Sequence, residues 1–112
     1  MKRTDVKSLP VKANPHNVSV RAAYDSEHAQ IMHITLEPGQ AMKWHVTPVD
    51  VVFYVLEGKV NIGIGDEEEE AATGTLVESP KGIKHMLANP HKERTSFLVM
   101  KLPRPVEKSK LL

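Results

Sequence analysis

Hydrophobic and polar residues alternate along much of this chain, which is the pattern of half-buried β-strands. Val18, Val20 and Ala22 share one face of a segment whose other face carries Ser19 and Arg21. The same period of two, or a short apolar run, predicts strands over 18–22, 32–36, 49–56, 60–64, 75–78, 84–87 and 95–102. Few helices fit between the eight prolines, because each proline costs a helix interior roughly 3 kcal/mol. The pattern therefore predicts an all-β sandwich or barrel of short antiparallel strands.

Polar and proline-rich segments separate the predicted strands. The charged run 66–70 is interpreted as a solvated hairpin tip. Pro103 and Pro105 end the last strand, so the segment 103–112 is expected to be a loosely held tail. Because the chain has 112 residues and contains no internal repeat, it is predicted to form one domain over 1–112.

Composition narrows the classes of partner. Fifteen Lys and Arg against fourteen Asp and Glu give no electrostatic reason to expect nucleic acid or an acidic membrane surface. The lack of cysteine excludes disulfides, iron–sulfur clusters and thiolate zinc sites. No apolar stretch approaches the roughly 18 residues that span a bilayer. The basic N-terminal residues are not followed by the apolar segment of a secretory signal. A cytoplasmic protein with no nucleic-acid or membrane partner is therefore expected.

Two spaced motifs lie within 39–89. The second has five, one, two and three residues between its successive members, which are Gly74, Pro80, Gly82, His85 and Asn89. Such a set should arise by chance on the order of once in ten thousand chains or less, because Gly and Pro each make up only about 5–7% of average sequence. The order and spacing resemble the second motif of the cupin family.

The first motif has the frame of the other cupin motif. It has five, one, three and six residues between its members, which are Gly39, His45, Thr47, Val51 and Gly58. The fifteen residues that separate the two motifs are similar to the short inter-motif segment of small single-domain cupins. The resemblance implies a double-stranded β-helix, or jelly-roll, barrel with a site inside it.

The resemblance also implies a metal site whose ligands are only partly present. In the family, three histidines and a glutamate hold the metal. His45 matches the first histidine and His85 matches the histidine of the second motif, whereas Thr47 and Val51 stand at the other two ligand positions. With His45 and His85 alone, we expect weak or partial occupancy by one divalent transition metal ion, Mn, Fe, Ni or Zn. The alternative is a pair of neutral core histidines that hydrogen-bond to backbone or water.

Residue parity predicts which side chains face the site. If the strand is regular, the inward row consists of His45, Thr47, Val49, Val51, Phe53 and Val55, with His85 on the partner strand. Asp50 has the opposite parity, so it could complete a metal site only at a β-bulge and is expected to be solvated or salt-bridged. His33 is expected on the outer face, and solvated positions are expected for His16, His28 and His91.

Three functions remain open. The favoured one is a small-molecule-binding cupin with a degenerate two-histidine metal site, whose ligand pocket is formed by His45, Thr47, Val51, Phe53 and His85. The first alternative is a metal-dependent enzyme of the dioxygenase or isomerase class that acts on a small metabolite. The second is a metal-free structural or regulatory dimer module.

A homodimer is expected in each case. Four apolar residues oppose the inward row and are predicted to form one exposed patch, namely Trp44, Val52, Tyr54 and Leu56. Closed two-fold dimers are the commonest homo-oligomers, so a second copy of the chain is the expected partner.

Overall fold

The computed structural model describes residues 1–112 as two five-stranded antiparallel sheets. A short 3₁₀-helix, Val6–Ser8, precedes ten strands. They are β1 (Ser19–Asp25), β2 (Gln30–Leu36), β3 (Ala41–Val46), β4 (Asp50–Glu57), β5 (Lys59–Ile64), β6 (Glu67–Ala72), β7 (Leu76–Ser79), β8 (His85–Ala88), β9 (Thr95–Leu102) and β10 (Lys110–Leu111). The first sheet has the order β1-β2-β9-β4-β7, and the second has the order β10-β3-β8-β5-β6. The all-β prediction is confirmed, and no helix has the length and apolar character needed to cross a membrane.

The core lies between the two sheets and consists of the inward rows of their strands. On β4 the side chains of Val51, Phe53 and Val55 are buried, as their shared parity predicts. Phe97 on β9 and Leu87 on β8 are fully buried as well. Burial of each such side chain contributes roughly 1.5–3 kcal/mol, so these rows fix which face of each strand turns inward.

The inward row that parity predicts is divided between the two sheets. His45 lies on β3 of the second sheet, whereas Val51 and Phe53 lie on β4 of the first sheet. Between them, residues 47–49 form no strand and carry the chain across from one sheet to the other. The expectation of a single regular strand is therefore wrong, although His45, Thr47 and Val51 all remain buried.

The acidic run does not form the hairpin tip that was expected. Glu67–Ala72 is strand β6, which pairs with β5 at the edge of the second sheet. Four successive exposed glutamates protect this edge, because like charges discourage another strand from pairing there. The tip of the hairpin is the short turn at 65–66.

The C-terminal segment, expected to be loosely held, packs across one end of the barrel. Strand β10 pairs with β3, and Arg104 forms an ion pair with Asp25 at 2.6 Å. The hydroxyls of Ser109 and Thr47 lie 3.1 Å apart. These contacts place the tail beside the residues of the first motif.

The residues of the second motif hold loops in place. Asn89 is buried, and its amide donates to the carbonyls of Leu36 at 3.0 Å and Glu93 at 2.8 Å. Its side-chain oxygen accepts the backbone N–H of His91. Asn89 therefore ties the end of β2 to the loop before β9, which is the structural reason for an amide at this position.

Candidate functional site

A cavity of about 500 Å³ opens at one end of the barrel, between the two sheets. Strands β1, β2, β3, β4, β8 and β9 supply its walls. Two segments outside the sheets, 12–16 and 104–109, close its sides. His45, Thr47, Phe53 and His85 line it, as expected. Val51 is buried in the core and is not among the residues that line the cavity. Its expected role in a ligand pocket stays a prediction.

A β-bulge in β3 turns His45 into the cavity. Met42 pairs with Leu87, and His45 pairs with His85, so β3 uses three steps where β8 uses two. The extra residue lets both Met42 and His45 face inward, whereas strict alternation allows only one of them to do so. The prediction that His45 and His85 meet inside the barrel is thereby confirmed: their Nε2 atoms lie 3.0 Å apart.

The hydrogen bonds define the tautomers of this histidine pair. His45 Nδ1 lies 2.6 Å from the carbonyl oxygen of Lys43, which can only accept, so Nδ1 carries the proton and Nε2 a lone pair. His85 Nε2 must then donate to His45 Nε2. Consequently His85 Nδ1 is the acceptor for the hydroxyl of Ser79, at 2.7 Å. The chain Ser79 to His85 to His45 is a directed series of hydrogen bonds between neutral groups.

Thr47 and Phe53 complete the immediate surroundings of the pair. The Thr47 hydroxyl lies 3.2 Å from His85 Nε2, close enough to share its proton. The ring of Phe53 meets the His85 ring edge to face, with centroids 5.3 Å apart. His85 is thus held between a polar group and an aromatic wall, in a fixed orientation.

A third histidine, His16, lies at the cavity instead of in solvent. Its ring centroid is 4.9 Å from that of His45, and its Nδ1 accepts the backbone N–H of Lys43 at 2.8 Å. Since Nδ1 accepts, the neutral ring carries its proton on Nε2. Asn14 shapes the preceding turn by accepting the backbone N–H of His16. The expectation of a solvated His16 is wrong because a long-range contact with β3, invisible in the local sequence, places it.

The remaining histidines lie away from the cavity. His28 is exposed, as expected. His91 is half-buried and lies 3.0 Å from the carboxylate of Glu70, so the expectation that it is solvated is wrong. His33 lies half-buried on the outer face of β2.

Sequence reasoning missed the charged residues of the cavity, of which Lys101 is the one on a strand of the barrel. On β9 it continues the inward row of Phe97 and Val99, and it lines the cavity. In the register of the first sheet it lies directly opposite Val51 on β4. Paired residues of adjacent strands share a face, so Lys101 stands beside the position where the motif has its glutamate. The parity of the predicted strand 95–102 contained the signal that could have found it.

Burial keeps the imidazoles of the cavity neutral. It lowers the pKa of His85 to about 3, with further lowering by the charges of His45 and Lys101. It lowers the pKa of His16 to about 4, and the neighbouring His45 adds to this effect. The pKa of His45 is lowered by burial too, although its hydrogen bond to Lys43 acts in the opposite direction. At neutral pH the site therefore contains three neutral imidazoles.

Comparison with known proteins decides the family. The family described as Cupin domain matches residues 32–101, which is more than half of the chain. The chain belongs to the cupin family. The predicted resemblance is confirmed, and both motifs of this cupin lie within the matched region.

Solved structures similar to this cupin share its barrel. A protein from Thermus thermophilus is 35% identical, with a TM-score of 0.81, and the match covers 94% of this cupin and 100% of that chain. A cupin family protein with a double-stranded β-helix fold from Methanocaldococcus jannaschii is 24% identical, with a TM-score of 0.73 over 90% of this cupin and 94% of that chain. A polyketide cyclase from Streptomyces resistomycificus is 19% identical, with a TM-score of 0.86, and the match covers 100% of this cupin and 85% of that chain. These likenesses confirm the jelly-roll fold.

The donor set of this cupin does not fit a tight metal site. Two Nε2 atoms 3.0 Å apart are compatible with one shared ion at about 2.1 Å from each, but Thr47 adds only a neutral hydroxyl. Asp50 is exposed and accepts the backbone N–H of Lys81 at 2.8 Å, so its carboxylate does not complete the site. No group of three or more His, Cys, Asp or Glu side chains is placed to hold a metal ion. Weak occupancy by a divalent ion at His45 and His85 stays a prediction.

The lowered pKa values predict a loss of stability in acid. Unfolded, His85 titrates near its ordinary value of 6.5, whereas in the folded cupin it titrates near 3. Between these values the unfolded chain binds the extra proton, so the free energy of unfolding falls as pH decreases through this window, by up to about 1.4 kcal/mol per pH unit. His16, which is half-buried, contributes a smaller slope of the same sign.

Urea unfolding with chelator present, at several pH values between about 6.5 and about 4, measures this slope. We expect His85→Gln to make it shallower, and His28→Gln serves as the control that removes an exposed imidazole. Equal slopes in the parent and in His85→Gln contradict the assignment of a neutral, buried His85.

Proposed function

We propose that this cupin binds a small molecule in the cavity beside His45 and His85. The observation that carries the proposal is the convergence of His45, Thr47 and His85 on a cavity of about 500 Å³. Known ligand sites have volumes of about 300–1,000 Å³, apolar walls and a few placed polar groups. Here the buried apolar walls are Val20, Ile34, Met42, Phe53 and Val99.

The histidine pair supplies both a donor and an acceptor to such a ligand. A ligand hydroxyl or N–H can donate to the lone pair of His45 Nε2 in place of His85, and the His85 N–H can then donate to a ligand oxygen. Ser79 and the Lys43 carbonyl hold the two rings while this exchange occurs. The site therefore orients a polar ligand without any rearrangement of the barrel.

A metal-dependent enzyme of the dioxygenase or isomerase class is the second candidate. The spacing of 3.0 Å between the two Nε2 atoms favours it. The missing carboxylate and the neighbouring Lys101 ammonium disfavour it, since both reduce the attraction for a divalent cation. A metal-free structural or regulatory module is the third candidate. It would be favoured if no small molecule binds in the screen described below.

A screen of small molecules by ligand-observed NMR tests the proposed function. We expect ligands that compete with one another for one site and lose binding in Met32→Trp, because Met32 lines the cavity and an indole fills it. Leu76→Trp, which adds the same ring to an exposed position outside the cavity, is the matched control. Ligands that bind Met32→Trp as well as they bind the parent contradict the proposal.

We also propose that two copies of this cupin associate through the outer face of the first sheet. Val52 and Tyr54 are half-buried there, Leu56 is exposed, and Leu98 of β9 pairs with Tyr54 on the same face. Trp44 lies in the second sheet instead, where it packs over Gly63, so the four residues do not form one patch.

Light scattering at micromolar concentration measures this association. We expect a mass about twice the 12.5 kDa of the chain, and a decrease toward 12.5 kDa when Tyr54→Lys places a charge in the patch. A parent that scatters as a single chain contradicts the expected homodimer.

A further inference from the structure

The ligand of this cavity can be assigned to a chemical class by the charges that surround it. Resting on the proposed function, we propose that this cupin binds a small organic carboxylate, whose negative charge is met by Lys101. The inference rests on the position of Lys101, on the lack of any carboxylate paired with it, and on the direction of the neighbouring hydrogen bonds.

Lys101 is an unpaired cation in the wall of the cavity. It forms neither a salt bridge nor a side-chain hydrogen bond with the rest of the chain, whereas Arg104, at the rim, is neutralised by Asp25 at 2.6 Å. Burial lowers the pKa of Lys101, and no carboxylate opposes that effect. Glu107 is the acidic residue of the lining, and it lies exposed on the C-terminal segment. An anionic ligand would supply the missing partner charge.

The hydrogen-bonding groups near Lys101 are arranged to donate. His16 Nδ1 accepts from the Lys43 backbone, which leaves its Nε2–H without a partner in the chain. Lys101 contributes an ammonium with three donors. His85, which also lines the cavity, carries a further donor, the Nε2–H that points to His45. A carboxylate, which only accepts, matches this set of donors.

The pairing of Val51 with Lys101 gives this part of the site a charge opposite to that of the acidic ligand in the cupin motif. The cupin motif places a glutamate where this chain has Val51, and a carboxylate there would attract a cation. In this cupin the neighbour across the strands is an ammonium, so the charge of the site is reversed. The same change that disfavours a divalent metal favours an anion.

The walls indicate an organic acid in preference to a bare inorganic anion. Val20, Ile34, Met42, Phe53 and Val99 are buried around the cavity and offer no hydrogen bonds. Inorganic phosphate would leave these apolar surfaces uncovered, whereas a compound with one carboxylate and an apolar body covers them and pairs with Lys101, which is half-buried, unlike the exposed Lys12 and Lys108 of the lining.

Matched pairs of acids and amides test this inference. We would titrate parent, Lys101→Met and Lys59→Met with benzoate, benzamide, cyclohexanecarboxylate, its amide and inorganic phosphate, by calorimetry or NMR. Lys59→Met removes the same charge from an exposed position on β5. We expect each acid to bind the parent at least tenfold tighter than its amide, to lose at least tenfold in Lys101→Met, and to be unchanged in Lys59→Met. The amides should bind parent and Lys101→Met equally.

The outcomes separate this inference from the proposed function. If amides and acids bind the cavity equally, or if Lys101→Met leaves acid binding unchanged, the carboxylate assignment is overturned while a small-molecule site remains. If phosphate binds as tightly as the organic acids, the assignment to an organic ligand is overturned. If none of these probes binds and the wider screen finds no ligand either, the proposed function fails together with this inference.

Discussion

The double substitution of Thr47→His and Val51→Glu is expected to create tight divalent-metal binding in a protein that we expect to bind such ions weakly or not at all. Both positions are buried beside the existing pair, since Thr47 lies 3.2 Å from His85 Nε2 and Val51 pairs with Ser79, which contacts His85. The parent offers two nitrogen donors, whereas the variant offers four donors including a carboxylate. Without metal the variant should be less stable than the parent, because the new carboxylate is buried.

Melting curves with and without manganese, nickel or zinc measure this effect. At a metal concentration of about 100 times the dissociation constant, binding adds roughly 2.7 kcal/mol to the free energy of unfolding. For a domain of this size, that should raise the melting temperature by on the order of 10 °C. A parent that already shows the full shift, with one tightly bound ion per chain, contradicts the account of a degenerate site.

Lys101 provides an internal comparison for this experiment. The carboxylate introduced at position 51 would stand directly across from Lys101 and form an ion pair with it. Adding Lys101→Met to the double variant should therefore tighten metal binding further, whereas adding Lys59→Met should not. If Lys101→Met changes nothing, the ammonium of Lys101 does not reach the carboxylate introduced at position 51.

Replacing Gly58 with alanine is expected to destabilise the barrel more than the same change at other turn glycines. Gly58 follows β4 in the turn to β5 and has a φ of +72°, where an L-residue costs about 1–2 kcal/mol. An added Cβ would also lie 2.5 Å from the backbone oxygen of Arg94, just before β9. Crowding of this kind costs roughly a further 1–3 kcal/mol.

Gly39→Ala is the matched control for this substitution. Gly39 has a φ of +85°, but nothing lies within 4 Å of the Cβ that alanine would add. Denaturant unfolding of both variants should therefore give a loss at Gly58 that exceeds the loss at Gly39 by about 1–3 kcal/mol. Equal losses would mean that the turn after β4 does not press against the start of β9.

The local sequence is enough to predict much of this barrel. Period-two alternation or a short apolar run identifies β1, β2, β4, β5 and β9, because the inward face of each strand must be apolar to be buried. The two spaced motifs pair His45 with His85 across forty residues, since each motif corresponds to a strand of the same small barrel. The sequence features that predict the fold correctly are either periodic or spaced at fixed intervals.

The features that escaped prediction depend on contacts between distant residues. The bulge in β3 breaks the alternation at Lys43 and Trp44, so 41–46 was not recognised as a strand separate from β4. His16 reaches the cavity through its bond to the backbone of Lys43, 27 residues along the chain. Glutamate has a low β-propensity, but the glutamates of 67–70 form part of β6 because pairing with β5 outweighs that low propensity.

Lys101 was not predicted as a site residue for a different reason. Its parity placed it in the inward row of β9, beside Phe97 and Val99, but a lysine at the end of a strand is usually solvated. Only the pairing of β9 with β4 shows that it adjoins the position of the missing glutamate. The charge of the site depends on which residues of β4 and β9 lie opposite each other, and the sequence of one strand alone does not show this pairing.

Long-range ¹H–¹⁵N NMR spectra of the imidazole rings, recorded while the tightest-binding carboxylate of the series is titrated in, test the central claim most directly. A ligand in the cavity changes the hydrogen bond between His85 and His45 and meets the free N–H of His16. The account predicts that the signals of these three histidines shift together and saturate at one ligand per chain, while the exposed His28 does not respond. Unchanged spectra of His45 and His85 at saturating ligand would contradict it.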